Sequence, residues 1–203
     1  MKLYYSPNLN PRVCVAAARH LNAPVTYVLG YTMSAEEKAA FPSLNPMGRY
    51  PVLVEEGQPP LWEADAIVCR LSALTGSDFW RTDASQPDMV RWISWATHHL
   101  NRAADPVYFS RVVMPQFTQD RLPEAEIAQG LADWAALLPI LDAHLGGREW
   151  LLGDRLSYAD FRAATALPFA SAAGLPLDDA PNVRRWAAQL DRIDAWRDPF
   201  AGI

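Results

Sequence analysis

Short apolar runs separated by polar turns dominate the first part of the chain. The run over residues 2–5 ends at a Ser-Pro pair, which predicts a first strand. Apolar residues then recur with a helical period, so we predict a helix over residues 11–21 with Asn10 as its cap and a proline in its first turn. The β-rich run over residues 25–29 predicts a second strand.

The next stretch has the pattern of a hairpin and a helix. Pro51 opens an apolar run that predicts a strand over residues 52–54, and after a Gly-Gln-Pro turn the chain returns as a strand at residues 60–62. An amphipathic run predicts a helix over residues 65–74, closed by Gly76. A parallel βαβ unit followed by a hairpin gives a mixed four-stranded sheet, which is the layout of the thioredoxin-like fold.

Beyond this helix no strand pattern appears. A polar linker over residues 77–86 leads into helical periodicity, which predicts helices over residues 87–111 and 182–193. Between them, apolar residues recur at intervals of three and four: Ile127, Leu131, Trp134, Leu138, Leu141 and Leu145. We therefore predict an α+β protein, with an N-terminal thioredoxin-like domain at residues 1–76 and a C-terminal all-helical domain at residues 87–203.

Composition and charge narrow the classes of function. Hydrophobic residues make up 50% of the 203 residues and charged residues 20%, which is typical of a soluble globular protein. The net charge of −5 argues against nonspecific nucleic-acid binding. No apolar run resembles a signal peptide or approaches the roughly 20 residues of a membrane span. Cys14 and Cys69 stand alone in apolar helical patterns, so we expect reduced thiols and a cytoplasmic location.

The segment from Asn45 to Ile67 has the most specific pattern in the chain. Pro51 comes directly before a strand, and we predict a cis bond there that turns the backbone N–H and C=O of Tyr50 toward an extended peptide. Glu63 precedes the next helix, whose free N–H groups can hold a carboxylate. The two features predict a docking edge beside an anion site, which fits a small acidic peptide.

This pattern resembles the glutathione site of the glutathione S-transferase family, in which a cis-proline strand precedes a Glu/Gln-Ser pair that opens the next helix. The signature Ser157-Tyr158-Ala159-Asp160 also matches the family, in its second domain. This signature predicts a capping box, with Ser157 at the cap and Asp160 bonding back to it, and its role is structural. Ala64 stands where the family usually has serine, which removes a charged hydrogen bond of about 1.5–3 kcal/mol.

The resemblance implies a substrate, an activity and an assembly. The residues that would bind glutathione are Arg49, Tyr50, Pro51, Glu63 and Ala64. Its thiolate would attack a small apolar electrophile, for which the candidate pocket residues are Tyr108, Phe109 and Met114. Because family members pair, the resemblance also implies a homodimer, with the predicted helices over residues 65–74 and 87–111 at the interface.

Conjugation needs the thiolate of glutathione, whose thiol should titrate near the free cysteine value of about 8.5. The family places a donor to this thiolate between the first strand and the first helix, where the helix N-terminus also favours the anion. In this chain the catalytic candidates are the amides of Asn8 and Asn10, ahead of Ser6. Tyr5 is a further alternative, and Tyr4 lies on the opposite face of the strand, so at most one tyrosine reaches the site.

Other functions compete with the transferase hypothesis. A catalytically weak or inactive glutathione-binding or interaction module of the same fold is favoured by Ala64 and by the lack of a clean match at the donor position. Thiol–disulfide exchange would need a cysteine at the start of the first helix, and Cys14 lies about a turn too deep. His98 and His99 are adjacent and point about 100° apart on a helix, so we predict no metal site there.

Overall fold

The computed structural model describes residues 1–203, and they form two compact units. The first unit combines Met1–Trp80 with Ile193–Ile203, and the second comprises Arg81–Arg192. The sequence analysis includes residues 193–203 in the all-helical domain, whereas in the structure they pack with the first unit. The reason is a set of long-range contacts, described below, that local periodicity does not encode.

The first unit is built on a mixed four-stranded sheet with the strand order β2-β1-β3-β4. Its strands are β1 (Lys2–Tyr5), β2 (Thr26–Leu29), β3 (Val52–Val54) and β4 (Leu61–Trp62). Strand β1 runs parallel to β2 and antiparallel to β3, and β3 runs antiparallel to β4. The predicted thioredoxin-like layout is confirmed.

Three helices accompany this sheet: α1 (Leu9–His20), α2 (Ala35–Ala40) and α3 (Ala64–Thr75). Helices α1 and α3 pack against each other, and Val13 in α1 and Ile67 in α3 are both fully buried. On the other face of the sheet, Val52 packs with Met33 and Phe41 in an apolar cluster. Helix α3 ends at Gly76, whose φ of 65° is the left-handed conformation of a helix C-terminus.

The second unit begins with a long helical segment. It consists of α4 (Gln86–Trp95) and α5 (Asn101–Tyr108), which are joined and followed by wide π-helical turns over Ala96–Leu100 and Phe109–Val113. The sequence predicts one regular helix over residues 87–111, because hydrophobic periodicity does not reveal single wide turns. This segment then gives way to a short turn over Met114–Gln116.

The remaining helices are α6 (Glu124–Leu145), α7 (Tyr158–Ala163), α8 (Ala170–Ala173) and α9 (Pro181–Leu190), while α10 (Asp194–Arg197) belongs to the first unit. Helix α6 packs closely on α5 at Gly130, where a Cβ atom would lie 2.7 Å from the carbonyl oxygen of Ala103. The indoles of Trp134 and Trp186 are fully buried in this unit. No helix is both long enough and apolar enough to cross a membrane.

Asp160 holds together the interior of the second unit. Its carboxylate accepts hydrogen bonds from the backbone N–H of Ser157 at 2.9 Å and of Leu151 at 2.8 Å, and from the Trp186 indole at 3.1 Å. The predicted capping box is therefore present, and it is extended by two partners that the sequence does not indicate. Complete burial raises the pKa of Asp160 to about 6, although each of these donors favours the carboxylate.

Candidate functional site

The turn between β1 and α1 contains the three predicted thiolate donors. Ser6 is buried, Asn8 is half-buried at the cap position and Asn10 is exposed inside the first helical turn. The prediction that Asn10 caps the helix is wrong, because α1 begins at Leu9 and Asn8 has the extended cap conformation, with φ −99° and ψ 173°. Pro11 is tolerated in the helix because N–H groups of the first turn have no intrahelical partner.

The Asn8 side chain makes no capping hydrogen bond, although its carbonyl oxygen accepts the N–H of Arg12 at 2.8 Å. Its amide lies at the positive end of a 12-residue helix and can donate to an anion there. Tyr5, the alternative donor, packs instead against Tyr27 and Phe200, with ring centroids 6.4 Å and 5.5 Å away. Burial raises the pKa of the Tyr5 hydroxyl, which opposes its ionisation.

A hydrogen-bonded turn leads the chain to the Tyr50–Pro51 peptide bond, which is cis. The buried Asn45 side chain accepts a hydrogen bond from the Met47 N–H at 3.0 Å and donates one to the Arg49 carbonyl oxygen at 2.6 Å. Tyr50 precedes β3 and takes no part in the strand ladder. The sequence pattern located this segment but did not identify Asn45 as the side chain that fixes it.

The side chain of Tyr50 is anchored on the side of the sheet that faces away from α1. Its ring lies directly over Gly30, where a Cβ atom would come within 2.1 Å of the ring carbon Cζ. The hydroxyl lies 3.5 Å from the Met33 sulfur, and the ring centroid is 4.7 Å from that of Phe41. These contacts hold the backbone of Tyr50 in place without using its N–H or C=O.

Helix α3 begins at a strained residue. Glu63 has φ 73° and ψ 127°, a conformation that costs a non-glycine residue about 1–3 kcal/mol. This conformation turns the chain so that α3 starts at Ala64, which is 3% exposed. The Glu63 carbonyl oxygen accepts the N–H of Ile67 at 3.0 Å, so the N–H groups before Ile67 have no helical acceptor. These N–H groups lie where the sequence predicts an anion site.

A hydrogen bond joins α1, whose N-terminus carries the candidate thiolate donors, to the start of α3, where the anion site is predicted. The thiol of Cys14, in the middle of α1, donates to the carbonyl oxygen of Ala64 at 3.5 Å. Cys14 is fully buried, so it is a structural residue that ties α1 to the start of α3. Cys69 is half-buried, and burial raises the pKa of its thiol.

Two arginines near the site differ in their surroundings. Arg49 is exposed on the loop before Pro51, as a contact for a ligand carboxylate would be. Arg12 is only 4% exposed. Its guanidinium donates a hydrogen bond to the carbonyl oxygen of Trp196 and lies 4.7 Å from the centroid of the Trp196 indole ring. Arg12 was not among the predicted site residues, although a lone arginine in an otherwise apolar helical run is a signal for such a role.

The predicted electrophile-pocket residues have different surroundings in the second unit. Tyr108 is 4% exposed and its ring centroid lies 4.8 Å from that of Phe169. Phe109 is 44% exposed, and Met114 is half-buried after the second π-helical turn. Because Tyr108 and Phe109 are consecutive in a helix, one packs into the interior while the other faces outward.

A groove of about 580 Å³ lies in the second unit between α6 on one side and α5 with its preceding π-helical turn on the other. His98, His99 and Arg102 line one wall, and Glu126 and Asp133 line the other. No group of three or more histidine, cysteine, aspartate or glutamate side chains is arranged to hold a metal ion. No local sequence pattern indicates this groove, because it forms only when α6 packs on α5.

Comparisons with known proteins agree on one family. Residues 124–198 match the family model described as the glutathione S-transferase, C-terminal domain. Glutathione S-transferase GstB of Escherichia coli is 29% identical over 192 residues, which cover 93% of this chain and 91% of that protein. Glutathione S-transferase 3 of Zea mays is 28% identical over 214 aligned positions, which cover 100% of this chain and 94% of that protein.

Solved structures show the same fold. The theta class glutathione S-transferase from the citrus canker pathogen Xanthomonas axonopodis pv. citri, solved with glutathione bound, superposes with a TM-score of 0.85. The alignment covers 100% of this chain and 97% of that one, at 22% sequence identity. The two-unit architecture is therefore shared over the whole length.

Proposed function

The chain belongs to the glutathione S-transferase family, and from this premise we propose that it binds glutathione and transfers the thiolate to a small apolar electrophile. The observation that supports this most is the start of α3, where strained Glu63 presents free N–H groups and Ala64 is tied to α1 by Cys14. Strain of this kind persists where the surrounding structure supports it, commonly at ligand sites.

In this proposal the two ends of glutathione have separate partners. The γ-glutamyl carboxylate binds at the N-terminus of α3, at Glu63 and Ala64, because free N–H groups and the helix dipole favour an anion. The cysteinyl backbone pairs with Tyr50, which the strand ladder leaves unused, in the manner of an added strand. Arg49 is exposed beside this segment and contacts the second carboxylate.

The chemical step is attack by the thiolate sulfur on an electrophilic carbon. The thiol first loses its proton to solvent, and a donor in the β1–α1 turn stabilises the anion, with Asn8 and Asn10 ahead of Ser6. The sulfur then forms a C–S bond while the leaving group departs with its electron pair, or while the electron pair of a double bond moves to the next atom. Tyr108, Phe109 and Met114 are proposed to contact the electrophile.

We place this reaction in the cytoplasm. The thiols of Cys14 and Cys69 are both reduced. Free thiols are the usual state in a reducing compartment, where glutathione is also kept as the thiol. The location is tested by fractionation of cells that produce the protein at its natural level.

Titration of glutathione into the protein, followed by isothermal calorimetry, tests the proposal. We expect binding to wild type and tighter binding to Ala64→Ser, because the new hydroxyl can donate to the γ-glutamyl carboxylate. A charged hydrogen bond of about 1.5–3 kcal/mol corresponds to roughly a 10-fold or greater gain in affinity. Ala66→Ser adds the same hydroxyl two positions further along α3 and is the matched control.

Conjugation of an aryl halide by the same samples separates binding from catalysis. A wild type that binds glutathione and forms the thioether faster than free glutathione does supports the whole proposal. If no binding is detected at glutathione concentrations above about 1 mM, the proposal is ruled out. A dissociation constant of about 1 mM corresponds to a binding free energy of about −4 kcal/mol.

We also propose a homodimer with α3 and α4 at its interface. Leu74 on α3 and Val90 on α4 are exposed apolar residues, at 40% and 47% of their surface. Light scattering at micromolar concentration should give twice the chain mass of 22.6 kDa. Val90→Glu, which places a charge in the apolar contact, should favour the monomer, whereas Val90→Thr should not. A wild-type mass of a single chain would contradict the proposal.

A further inference from the structure

Residues 193–203 leave the helical unit after α9 and pack on the first unit. This segment, which we call the strap, contains α10 and continues to Ile203. Helix α10 packs against α1, the helix whose N-terminus carries the candidate thiolate donors. These contacts join opposite ends of the chain, and Arg12 and Trp196, for example, are separated by 184 positions.

The strap's first contact holds a buried cation in the first turn of α1. A positive charge at a helix N-terminus is disfavoured by the helix dipole, and burying it adds a desolvation cost. The Arg12 guanidinium is nevertheless only 4% exposed, because Trp196 supplies both a carbonyl acceptor and the face of its indole ring 4.7 Å away. Trp196 is itself 1% exposed, so both members of the pair are buried.

The strap's other contacts hold the end of β1 and the far end of α1. The ring of Phe200 stacks on that of Tyr5, the last residue of β1, with centroids 5.5 Å apart and an angle of 11° between planes. Arg19, in the last turn of α1, donates to the carbonyl oxygen of Pro199 at 3.2 Å and to that of Ala201.

Tyr5 and Arg12 stand on either side of the Ser6–Asn8 turn, and the strap contacts both. We propose that the strap is a positioning element for the thiolate site, which fixes the turn by holding the strand before it and the helix after it. This inference rests on the proposed function, since it assumes that the glutathione sulfur lies at this turn. The Arg12 charge that the strap retains beside the turn also favours a nearby anion.

Phe200→Ala tests the strap without changing any residue of the turn. We expect the pKa of the enzyme-bound glutathione thiol to rise and kcat at neutral pH to fall about 5- to 10-fold, because small misplacements of a donor reduce its effect on the anion. Glutathione affinity should change less than about 2-fold, since the groups proposed to hold its carboxylates lie elsewhere. Phe200→Tyr keeps the stacked ring and should restore wild-type behaviour.

Phe117→Ala is the matched control, because Phe117 is an aromatic residue of the second unit with 70% of its surface exposed. If Phe200→Ala proves too unstable to assay, Phe200→Leu keeps an apolar contact while removing the stacked ring. Unchanged thiol pKa and kcat in a variant that lacks the ring, with wild type active, would overturn the proposal.

Amide hydrogen exchange of residues 12–15, whose N–H groups are the first in α1 with helical acceptors, separates this inference from the proposed function when it is measured on the glutathione-free protein. Loss of the Phe200 ring should accelerate exchange at these amides. The Phe117→Ala control should exchange at the wild-type rate. If wild type does not bind glutathione, the proposed function fails and exchange alone decides about the strap. Faster exchange in the Phe200 variant would then support the proposal that the strap fixes the turn, and unchanged exchange would refute that proposal.

Discussion

Replacing Asp160 by alanine is expected to lower the free energy of unfolding by about 3–6 kcal/mol. The carboxylate accepts hydrogen bonds from the buried N–H groups of Ser157, Leu151 and Trp186, and each donor left without an acceptor costs about 1–3 kcal/mol. For a chain of this size the midpoint of thermal unfolding should fall by roughly 6–24 °C. Thermal and urea unfolding, monitored by circular dichroism, measure both quantities.

Asp160→Asn provides the control and a pH test. Because burial raises the folded pKa from 3.8 to about 6, folding favours the protonated form of Asp160. The resulting stability is fully present below the unfolded pKa and is lost as the pH rises through the folded value, so wild type should lose stability relative to Asp160→Asn between pH about 4 and about 6. An Asp160→Ala protein as stable as wild type would show that these hydrogen bonds contribute nothing.

Removing the true thiolate donor should slow conjugation by roughly 10- to 100-fold at neutral pH. The lost interaction is one charged hydrogen bond of about 1.5–3 kcal/mol, and it favours the anion over the thiol. Among Asn8→Ala, Asn10→Ala and Ser6→Ala, we expect the largest effect for Asn8, whose amide lies at the helix start without a capping bond. The pKa of the bound thiol, followed by the ultraviolet absorbance of the thiolate, should rise in the same variant.

The stability of each variant must be measured alongside its rate of conjugation. Because Asn10 does not cap α1 and Asn8 makes no side-chain capping bond, none of the asparagine variants should lose the roughly 1 kcal/mol of a broken cap. Ser6 is buried, so Ser6→Ala must be compared at equal folded fraction. Wild-type pH–rate profiles in all three variants would mean that no side chain of this turn activates the thiol.

The elements of the first unit were predictable because their signals are local. The apolar run at residues 2–5 and the proline before β3 mark strands whose pairing follows from the βαβ and hairpin connections. The capping box at Ser157 and Asp160 was predictable for the same reason, since its donor and acceptor are three residues apart. The start of α1 was not, because Asn10-Pro11 has the sequence of a cap and the first proline, yet the chain already turns helical at Leu9.

The site itself was only partly predictable. Tyr50, Glu63 and Ala64 follow from the motif, and the structure adds what holds them: the Asn45 side chain before the proline and the Cys14 thiol behind Ala64. Such contacts depend on which residues meet across the fold, and local sequence patterns do not reveal them. The same holds for Arg12, whose burial makes sense only once the Trp196 carbonyl is known to face it.

The strap gives this protein an unusual order of assembly during synthesis. The first unit is nearly complete at Trp80, but its last piece is encoded after residue 192. At about 5–20 residues per second, the ribosome needs roughly 6–22 s to make the intervening chain. Throughout that interval the Arg12 guanidinium lacks the Trp196 carbonyl and the ring of Tyr5 lacks its Phe200 neighbour. The N-terminal unit of the nascent chain therefore completes its packing only after the second unit has been made.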